Sequence, residues 1–211
     1  GFSIYSGHSM SEEGVKDKRK ILAKELDVQE NFLKFQKQVH GSHIRYIDEN
    51  SQIEKSDGMF TERKGIILNI TIADCCAILI YDPSHEVIAA LHSGWRSAKE
   101  NIAAKGINTL KEKYNSDPNN LIIYMSPCAS VRNYEVGEEV AQFFPNFIEE
   151  RDGSLYLDLK RKIRTQLLES GCKAENIETS DICTIDDNRF HSYRRDRENS
   201  GRMAAFIGMK Q

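Results

Sequence analysis

The chain has 211 residues, of which 39% are hydrophobic and 29% charged, and its formal net charge is −3. This composition is typical of a globular domain with a sizeable core, and it argues against a disordered chain and against a strongly basic nucleic-acid-binding domain. The longest apolar run is far shorter than the ~18 residues of a membrane span, and the first residues lack the pattern of a signal peptide. We therefore expect one domain, residues 1–211, that binds neither a membrane nor nucleic acid.

The cysteines indicate a reducing compartment. Their number is odd and their spacing is not that of a disulfide scaffold: 75, 76, 128, 172 and 183. Free thiols used for packing or chemistry are typical of cytoplasmic proteins, so a cytoplasmic location is expected. A disulfide between the adjacent Cys75 and Cys76 would be strained.

The first third of the chain predicts a helix followed by two strands. Apolar residues at helical spacing over 12–26 indicate an amphipathic surface helix. Residues 32–39 alternate with a period close to two, which predicts a strand ending at His40-Gly41. A second strand is predicted over 44–47, so His40 is expected in a tight turn.

Three short apolar runs follow, over 66–72, 77–81 and 87–91, separated by polar clusters. Runs of this length that are rich in Ile and Val suit strands buried on both faces. The predicted sheet therefore carries Cys75 at the end of one strand and His92 at the end of the next.

Beyond this sheet, Ser97 and Glu100 match a capping box that would open a helix reaching Tyr114. Residues 121–125 predict another buried strand, which completes the strand–helix–strand order of an α/β fold. The remaining predicted elements are a short helix over 135–144, a hairpin turn at Asp152-Gly153, a helix capped by Asp158 and ending at Gly171, and a strand over 203–209.

Candidate metal ligands stand at three predicted strand ends: His40, Cys75 and His92. Two imidazoles and a thiolate suit zinc or copper, and three protein ligands leave one coordination position open, as in catalytic sites. The same three residues are therefore the candidate catalytic residues. The long gaps between them match no short metal motif, so the pattern also allows a packed thiol and two turn histidines.

Arginines supply the candidate substrate contacts. Arg19 lies on the first predicted helix, Arg96 follows a Gly-Trp pair, and Arg194 lies in a segment dense in charge and aromatic residues. The guanidinium fork suits phosphate or carboxylate. For Arg195 and Arg197, surface charge paired with nearby carboxylates is the favoured interpretation.

Five blocks of sequence, in order, carry a family resemblance. They are Gln38-Val39-His40-Gly41, Ala73-Asp74-Cys75, His92-Ser93-Gly94-Trp95-Arg96, Tyr134-Glu135-Val136-Gly137, and Asn188-Arg189-Phe190-His191-Ser192-Tyr193-Arg194-Arg195-Asp196. These blocks, which span nearly the whole chain, resemble the YfiH family, whose members are also called laccase-domain, polyphenol oxidase or purine nucleoside phosphorylase proteins. The resemblance implies a four-layer α/β/β/α sandwich of mixed sheets, similar to the catalytic domain of cytotoxic necrotizing factor. It also implies that His40, Cys75 and His92 are zinc ligands.

The same resemblance implies a function. Family members are expected to split adenosine, inosine, guanosine and methylthioadenosine with phosphate, and to deaminate adenosine. The implied partners are therefore a purine nucleoside and phosphate, and the chain is expected to be a monomer.

Three alternatives stay open. One is a copper-dependent polyphenol oxidase, although a multicopper centre normally needs more than the six histidines present. Another is a Cys75–His92 thiol hydrolase or amidase of the kind linked to peptidoglycan precursor editing. The last is a zinc-binding module without activity.

The sequence departs from the family pattern at several positions. The departures are Tyr5 for Asn, Lys18 for the Asn before Arg19, Ala77 for Pro, Ser93 for Ala and Ser97 for Gly. The family's N-terminal strand is also missing from the sequence as given. Because that strand helps to line the family pocket, we expect the substrate range to differ.

Overall fold

A computed structural model describes residues 12–210. The six α-helices of this part are α1 (Glu12–Glu25), α2 (Trp95–Lys99), α3 (Ile102–Tyr114), α4 (Glu138–Ala141), α5 (Leu159–Glu169) and α6 (Tyr193–Asp196). Its first six strands are β1 (Leu33–Lys34), β2 (Ile44–Tyr46), β3 (Gly58–Thr61), β4 (Ile67–Ile72), β5 (Cys76–Asp82) and β6 (Val87–Ser93). The other six are β7 (Ile122–Met125), β8 (Glu135–Val136), β9 (Ile148–Arg151), β10 (Ser154–Leu157), β11 (Ile177–Thr179) and β12 (Met203–Gly208). Tyr5 and the expected lack of an N-terminal strand fall outside the described residues.

The main sheet has six strands in the order β11-β7-β5-β6-β3-β2 and is mixed. At its centre β5 runs antiparallel to both β6 and β7. In this register Cys76 lies opposite Ser93 and Ala77 lies opposite His92. The start of β5 and the end of β6 therefore lie side by side.

A second sheet, β1-β4-β12, covers one face of the main sheet. Its central strand β4 is parallel to β1 and antiparallel to β12. A small antiparallel sheet, β8-β10-β9, forms no strand pairs with these two but packs against the core of the main sheet through Val136, Ile148 and Leu157. Its β9–β10 connection contains Asp152 and Gly153 at φ 50° and 77°, which confirms the predicted hairpin turn.

Two apolar cores and one smaller cluster define the layers. Alternate residues of β5 point to opposite sides, so Ile78 and Ile80 pack with α3 and α5, whereas Ala77 and Leu79 pack with β4. On the outer side of β4, Leu22 and Ala23 of α1, together with Leu26 just after it, pack against Ile67 and Ala204. The mixed α/β fold is confirmed, and the packing order of helix, sheet, sheet and helix is consistent with the expected four-layer sandwich.

The strand predicted over 32–39 is mostly wrong. A 3₁₀ turn occupies Glu30–Phe32 and the strand itself covers only Leu33–Lys34. The chain then crosses from the second sheet towards the main sheet, where Gln38 binds the backbone of Thr71 in both directions at 2.8 Å. Lys34, although buried, donates to the carbonyl of Glu49 at 2.6 Å.

The capping box predicted at Ser97 is wrong as well. The first helical turn begins earlier, with Gly94 as the N-cap of α2, and Ser97 is buried inside α2. The helix breaks at Asn101, whose φ of 60° is left-handed, and restarts as α3. The buried Gln166 of α5 donates to the Ala98 carbonyl at 2.6 Å and to the Asn101 side chain at 2.8 Å, which holds the break.

The short helix predicted over 135–144 is shorter than expected, since Glu135–Val136 form β8 and only Glu138–Ala141 are helical. Val136 pairs with Leu155 of the hairpin, which draws this part of the segment into a sheet. The strand β11 was not predicted.

Of the helices in the described range, none has the length and apolar character needed to traverse a bilayer.

Candidate metal centre

The structure brings His40, Cys75 and His92 together. Their ligand atoms, one from each side chain, all lie within 4.8 Å of one another. The two imidazole rings meet edge to face, with centroids 4.8 Å apart and planes at 77°. Three segments that are distant in sequence thus converge on one point.

Each side chain is positioned by a different local structure. His92 is buried near the end of β6, and Cys75 lies in the bend just before β5, so the pairing of these two strands places them side by side. His40 lies on an exposed loop at φ 60°. This left-handed backbone agrees with the tight turn expected at His40.

Asp57 organises both histidines and was not identified from the sequence. Its fully buried carboxylate accepts backbone N–H groups from Val39, His40 and Gly41 at 3.1, 2.9 and 2.7 Å. The same carboxylate lies 2.9 Å from His92 Nδ1. This bond directs Nε2 of His92 to the centre, as carboxylate partners of metal-binding histidines commonly do.

Cys75 and His92 form a coupled acid–base pair. Burial raises the pKa of the Cys75 thiol, but the charge of His92 and hydrogen bonds from His40 and His92 outweigh burial and lower the pKa to about 6. For His92, burial lowers the pKa, whereas Cys75 and Asp57 raise it to about 9. The net effect stabilises the thiolate, which is the form that binds metals.

Gly94 lets the backbone approach this centre. A Cβ atom at this position would lie 2.8 Å from Cys75 Sγ and 3.3 Å from His40 Cδ2. Its φ of −87° is accessible to any residue, so it is space and not backbone conformation that requires glycine here.

The donor set fits a borderline-soft metal ion. It offers two imidazole nitrogens and a sulfur, one imidazole has a carboxylate behind it, and no fourth His, Cys, Asp or Glu of the described part joins the group. The nearby Asp74 carboxylate is already engaged, because it accepts the Thr184 hydroxyl at 2.7 Å and the Arg194 amide at 2.6 Å. Three protein ligands with one open side match the pattern of catalytic zinc sites.

Two of the three candidate substrate arginines share one pocket. Arg96 and Arg194 line a pocket of about 450 Å³ together with Trp95 and Tyr134. The Arg96 guanidinium stacks over the Trp95 ring at 4.3 Å, and Arg194 Nη1 donates to the Glu135 carbonyl at 2.6 Å. Because Trp95 follows Gly94, this pocket adjoins the metal centre.

Arg19 lies elsewhere. Its guanidinium is 3.9 Å from the centroid of the Phe35 ring, in a separate depression that also contains Glu30 and Glu49. A larger cavity of about 960 Å³ lies between the end of α1 and β12, and none of the candidate site residues lines it. The structure therefore groups Arg96 and Arg194, but not Arg19.

The two arginines interpreted as paired surface charge behave differently. Arg195 pairs with Asp196 at 2.7 Å and donates to the carbonyls of Thr184 and Phe190. Arg197 lines the pocket of Arg96 and Arg194, and no carboxylate of the described residues lies within ion-pair distance of it. The expected pairing is therefore wrong for Arg197.

Comparison with known proteins agrees with this architecture. The family model described as "Multi-copper polyphenol oxidoreductase laccase" matches residues 5–210. A purine nucleoside phosphorylase of Clostridium acetobutylicum is 31% identical over 81% of this chain and 74% of its own length. The purine nucleoside phosphorylase YlmD of Bacillus subtilis is 30% identical over 77% of this chain, and the match spans 62% of that relative.

Two solved structures share the fold. YlmD from Geobacillus stearothermophilus superimposes with a TM-score of 0.91 and 26% identity, covering 99% of this chain and 90% of its own. The hypothetical protein YfiH of Bacillus licheniformis gives a TM-score of 0.90 and 25% identity, over 99% and 91% of the two chains.

Proposed function

The chain belongs to the multi-copper polyphenol oxidoreductase laccase family, and we propose that it is a zinc-dependent enzyme that splits purine nucleosides with phosphate and deaminates adenosine. The observation that supports this proposal best is the His40–Cys75–His92 set with its open side, beside a pocket that carries arginines. The names of the relatives support the substrate class. The proposed unit is one catalytic domain, acting as a monomer.

Zinc would be held by His40, Cys75 and His92. When bound, zinc supplies Lewis acidity that lowers the pKa of water towards ~7, which is the chemistry needed for hydrolytic removal of ammonia from C6 of adenosine. Asp57 would keep the loop of His40 and the ring of His92 in place. Five free cysteines suit the proposed cytoplasmic location, where thiols stay reduced.

In phosphorolysis an oxygen of phosphate forms a bond to the ribose C1′ while the C1′–N9 bond breaks, and the purine leaves with the bonding electrons. Arg96 and Arg194 are the proposed contacts that neutralise the phosphate and fix its direction of attack. A proton must reach the departing purine. Arg19 is not included in this arrangement, since its guanidinium lies over Phe35.

A metal-free thiol hydrolase is a second candidate. The specific observation in its favour is the lowered pKa of Cys75 beside His92, since a thiolate–imidazole pair is also a nucleophile. Such an enzyme would be blocked by alkylation and indifferent to chelators. A copper oxidase is supported by the description of the family and would consume oxygen. A non-catalytic module would bind the metal without turning over any nucleoside.

The deciding experiment is metal analysis of the purified protein together with phosphate-dependent release of base from a panel of nucleosides. Replacing Cys75→Ala should remove the bound metal and reduce turnover to the background rate, because the only sulfur ligand is lost. Cys172→Ala is the matched control, since Cys172 is a buried thiol outside the centre. Full turnover in the Cys75 variant would contradict the proposal, and chelator-resistant turnover would favour the thiol hydrolase.

A further inference from the structure

Arg197 has a backbone conformation that side chains rarely adopt. Its φ of 52° and ψ of −128° lie in a region dominated by glycine. The residue is exposed, so core packing does not impose this geometry. The Ser200 N–H donates to the Arg197 carbonyl at 3.0 Å and closes the turn. A costly backbone at an exposed arginine calls for a functional explanation.

The surroundings of the Arg197 side chain supply that explanation. It lines the same pocket as Arg96 and Arg194, and the ion pairs of the described residues include none of these three. The neighbouring Arg195, by contrast, is neutralised by Asp196 at 2.7 Å. Three guanidinium groups without a carboxylate partner thus share one pocket.

The charge balance of the pocket favours an anion. Two carboxylates also line it, Glu135 and Glu139, but Glu135 accepts the Ser154 hydroxyl at 3.1 Å and Glu139 folds back towards Gly137. The arginines outnumber these acids, and guanidinium forks match the oxygens of phosphate bidentately. An oxyanion with several oxygens is therefore the chemical class that the pocket would take.

Two chain segments connect the pocket to the metal centre. Trp95, which lines the pocket, follows Gly94, where a Cβ atom would lie only 2.8 Å from Cys75 Sγ. The Arg194 amide donates to Asp74, the residue before Cys75, at 2.6 Å. An anion held here would lie next to a nucleoside bound at the metal.

We propose that Arg96, Arg194 and Arg197 form the phosphate site of the enzyme, and that the strained backbone of Arg197 serves to present the third guanidinium. The identification of the anion as the co-substrate rests on the proposed phosphorolysis. The site itself rests on the pocket and its unpaired charges.

Trp95 offers a direct measurement, since it is the only tryptophan of the chain and lines the pocket. Titration of inorganic phosphate against Trp95 fluorescence, confirmed by calorimetry, gives the affinity of the wild type and its variants. Arg197→Gly should weaken phosphate binding about tenfold or more, because it removes a charged contact. The same change should raise the melting temperature by about 2–4 °C, because glycine relieves the backbone.

Arg189→Ala is the matched control: it removes an exposed arginine of the same segment that is paired with Asp187 at 2.6 Å and lies outside the pocket. This variant should bind phosphate as the wild type does. Wild-type affinity in Arg197→Gly, or equal loss in Arg189→Ala, would overturn the site. Arg197→Ala should weaken phosphate binding equally but lack the gain in melting temperature, which separates the charge from the backbone.

The two proposals fail separately. Phosphate binding that depends on Arg197, without phosphorolysis of any nucleoside, would keep the anion site and refute the proposed function. Phosphorolysis with a phosphate KM unaffected by Arg197→Gly would keep the function and refute the site.

Discussion

At the scale of single residues, the candidate centre depends on an acid that lies outside the group of candidate ligands. The Asp57 carboxylate accepts hydrogen bonds from three backbone N–H groups of the His40 loop and lies within hydrogen-bond distance of His92 Nδ1. The left-handed backbone of His40 costs roughly 1–3 kcal/mol on its own, and these hydrogen bonds offset that cost. One carboxylate therefore fixes two of the three candidate ligands.

We predict that Asp57→Asn lowers the affinity for zinc by about 10–100-fold, as loss of such partners commonly does. An amide cannot accept all four donors: each carboxylate oxygen faces two of them, so the NH₂ group would oppose two donors. Competition with a chromophoric chelator measures the affinity, and circular dichroism checks the fold.

The chain contains a matched control in Asp82→Asn. Asp82 is also buried and lies 2.8 Å from a histidine nitrogen, that of His85, but in a turn outside the metal centre. We expect this variant to lose stability without losing affinity for zinc. Equal affinity in the Asp57 variant and the wild type would show that the carboxylate serves the fold alone.

The three candidate ligands could be identified from the sequence, whereas Asp57 could not. His40, Cys75 and His92 stand out because they are soft ligands at predicted strand ends, and the family motifs single them out. Asp57 lies between Ser56 and Gly58, where an acid is typical of a turn. Only the approach of the His40 loop, from a segment well before it, shows what this carboxylate does.

At the scale of elements, long apolar runs were predictable and short or tertiary-dependent elements were not. The strands β4, β5 and β6 follow the runs over 66–72, 77–81 and 87–91 closely, since burial on both faces leaves a clear pattern. β8 and β11 are only two and three residues long, and partner strands determine them.

The break between α2 and α3 shows the same limit. A helical pattern continues through Asn101, but Gln166 of α5 binds the chain there and stabilises a left-handed residue. This contact joins residues 65 positions apart, so no local signal predicts it.

We therefore predict that Gln166→Leu destabilises the protein by about 1–2 kcal/mol, because one buried and one partly buried hydrogen bond from its amide are lost. Urea denaturation measures the change. Gln142→Leu is the control, since Gln142 is exposed and bonds only its own helix end; we expect a change within about 0.5 kcal/mol. A Gln166 variant as stable as this control would show that the break forms without the contact.

At the scale of the whole molecule, composition and periodicity predict an α/β domain, whereas the four layers followed from the resemblance. Strand order cannot be read from alternation, because a residue that faces the second sheet and one that faces α3 are both apolar. The pairing of β2 with β3 and of β7 with β11 is likewise set by packing.

A bound metal would tie three separate parts of this sandwich together: the loop before β2, the bend before β5 and the end of β6. We predict that zinc at about 100-fold above its Kd adds roughly 3 kcal/mol to the free energy of unfolding, or about 6–12 °C in melting temperature. Scanning calorimetry with and without a chelator measures the difference.

Cys75→Ala provides the control for this effect. With one ligand removed, its melting temperature should no longer respond to the chelator. A chelator effect of the same size in both proteins would place the stabilising ion outside the proposed centre.

The position of Asp57 has a consequence for how the protein matures. Its carboxylate can bind both the His40 loop and the His92 ring only after β3 and β6 have paired. The same pairing brings the His92 N–H to the backbone carbonyl of Asp57. A chain emerging from the ribosome would therefore have no competent pocket for the ion until its central strands were joined. Metal binding would therefore be the last step of folding, and it would occur only in chains whose central strands had paired correctly.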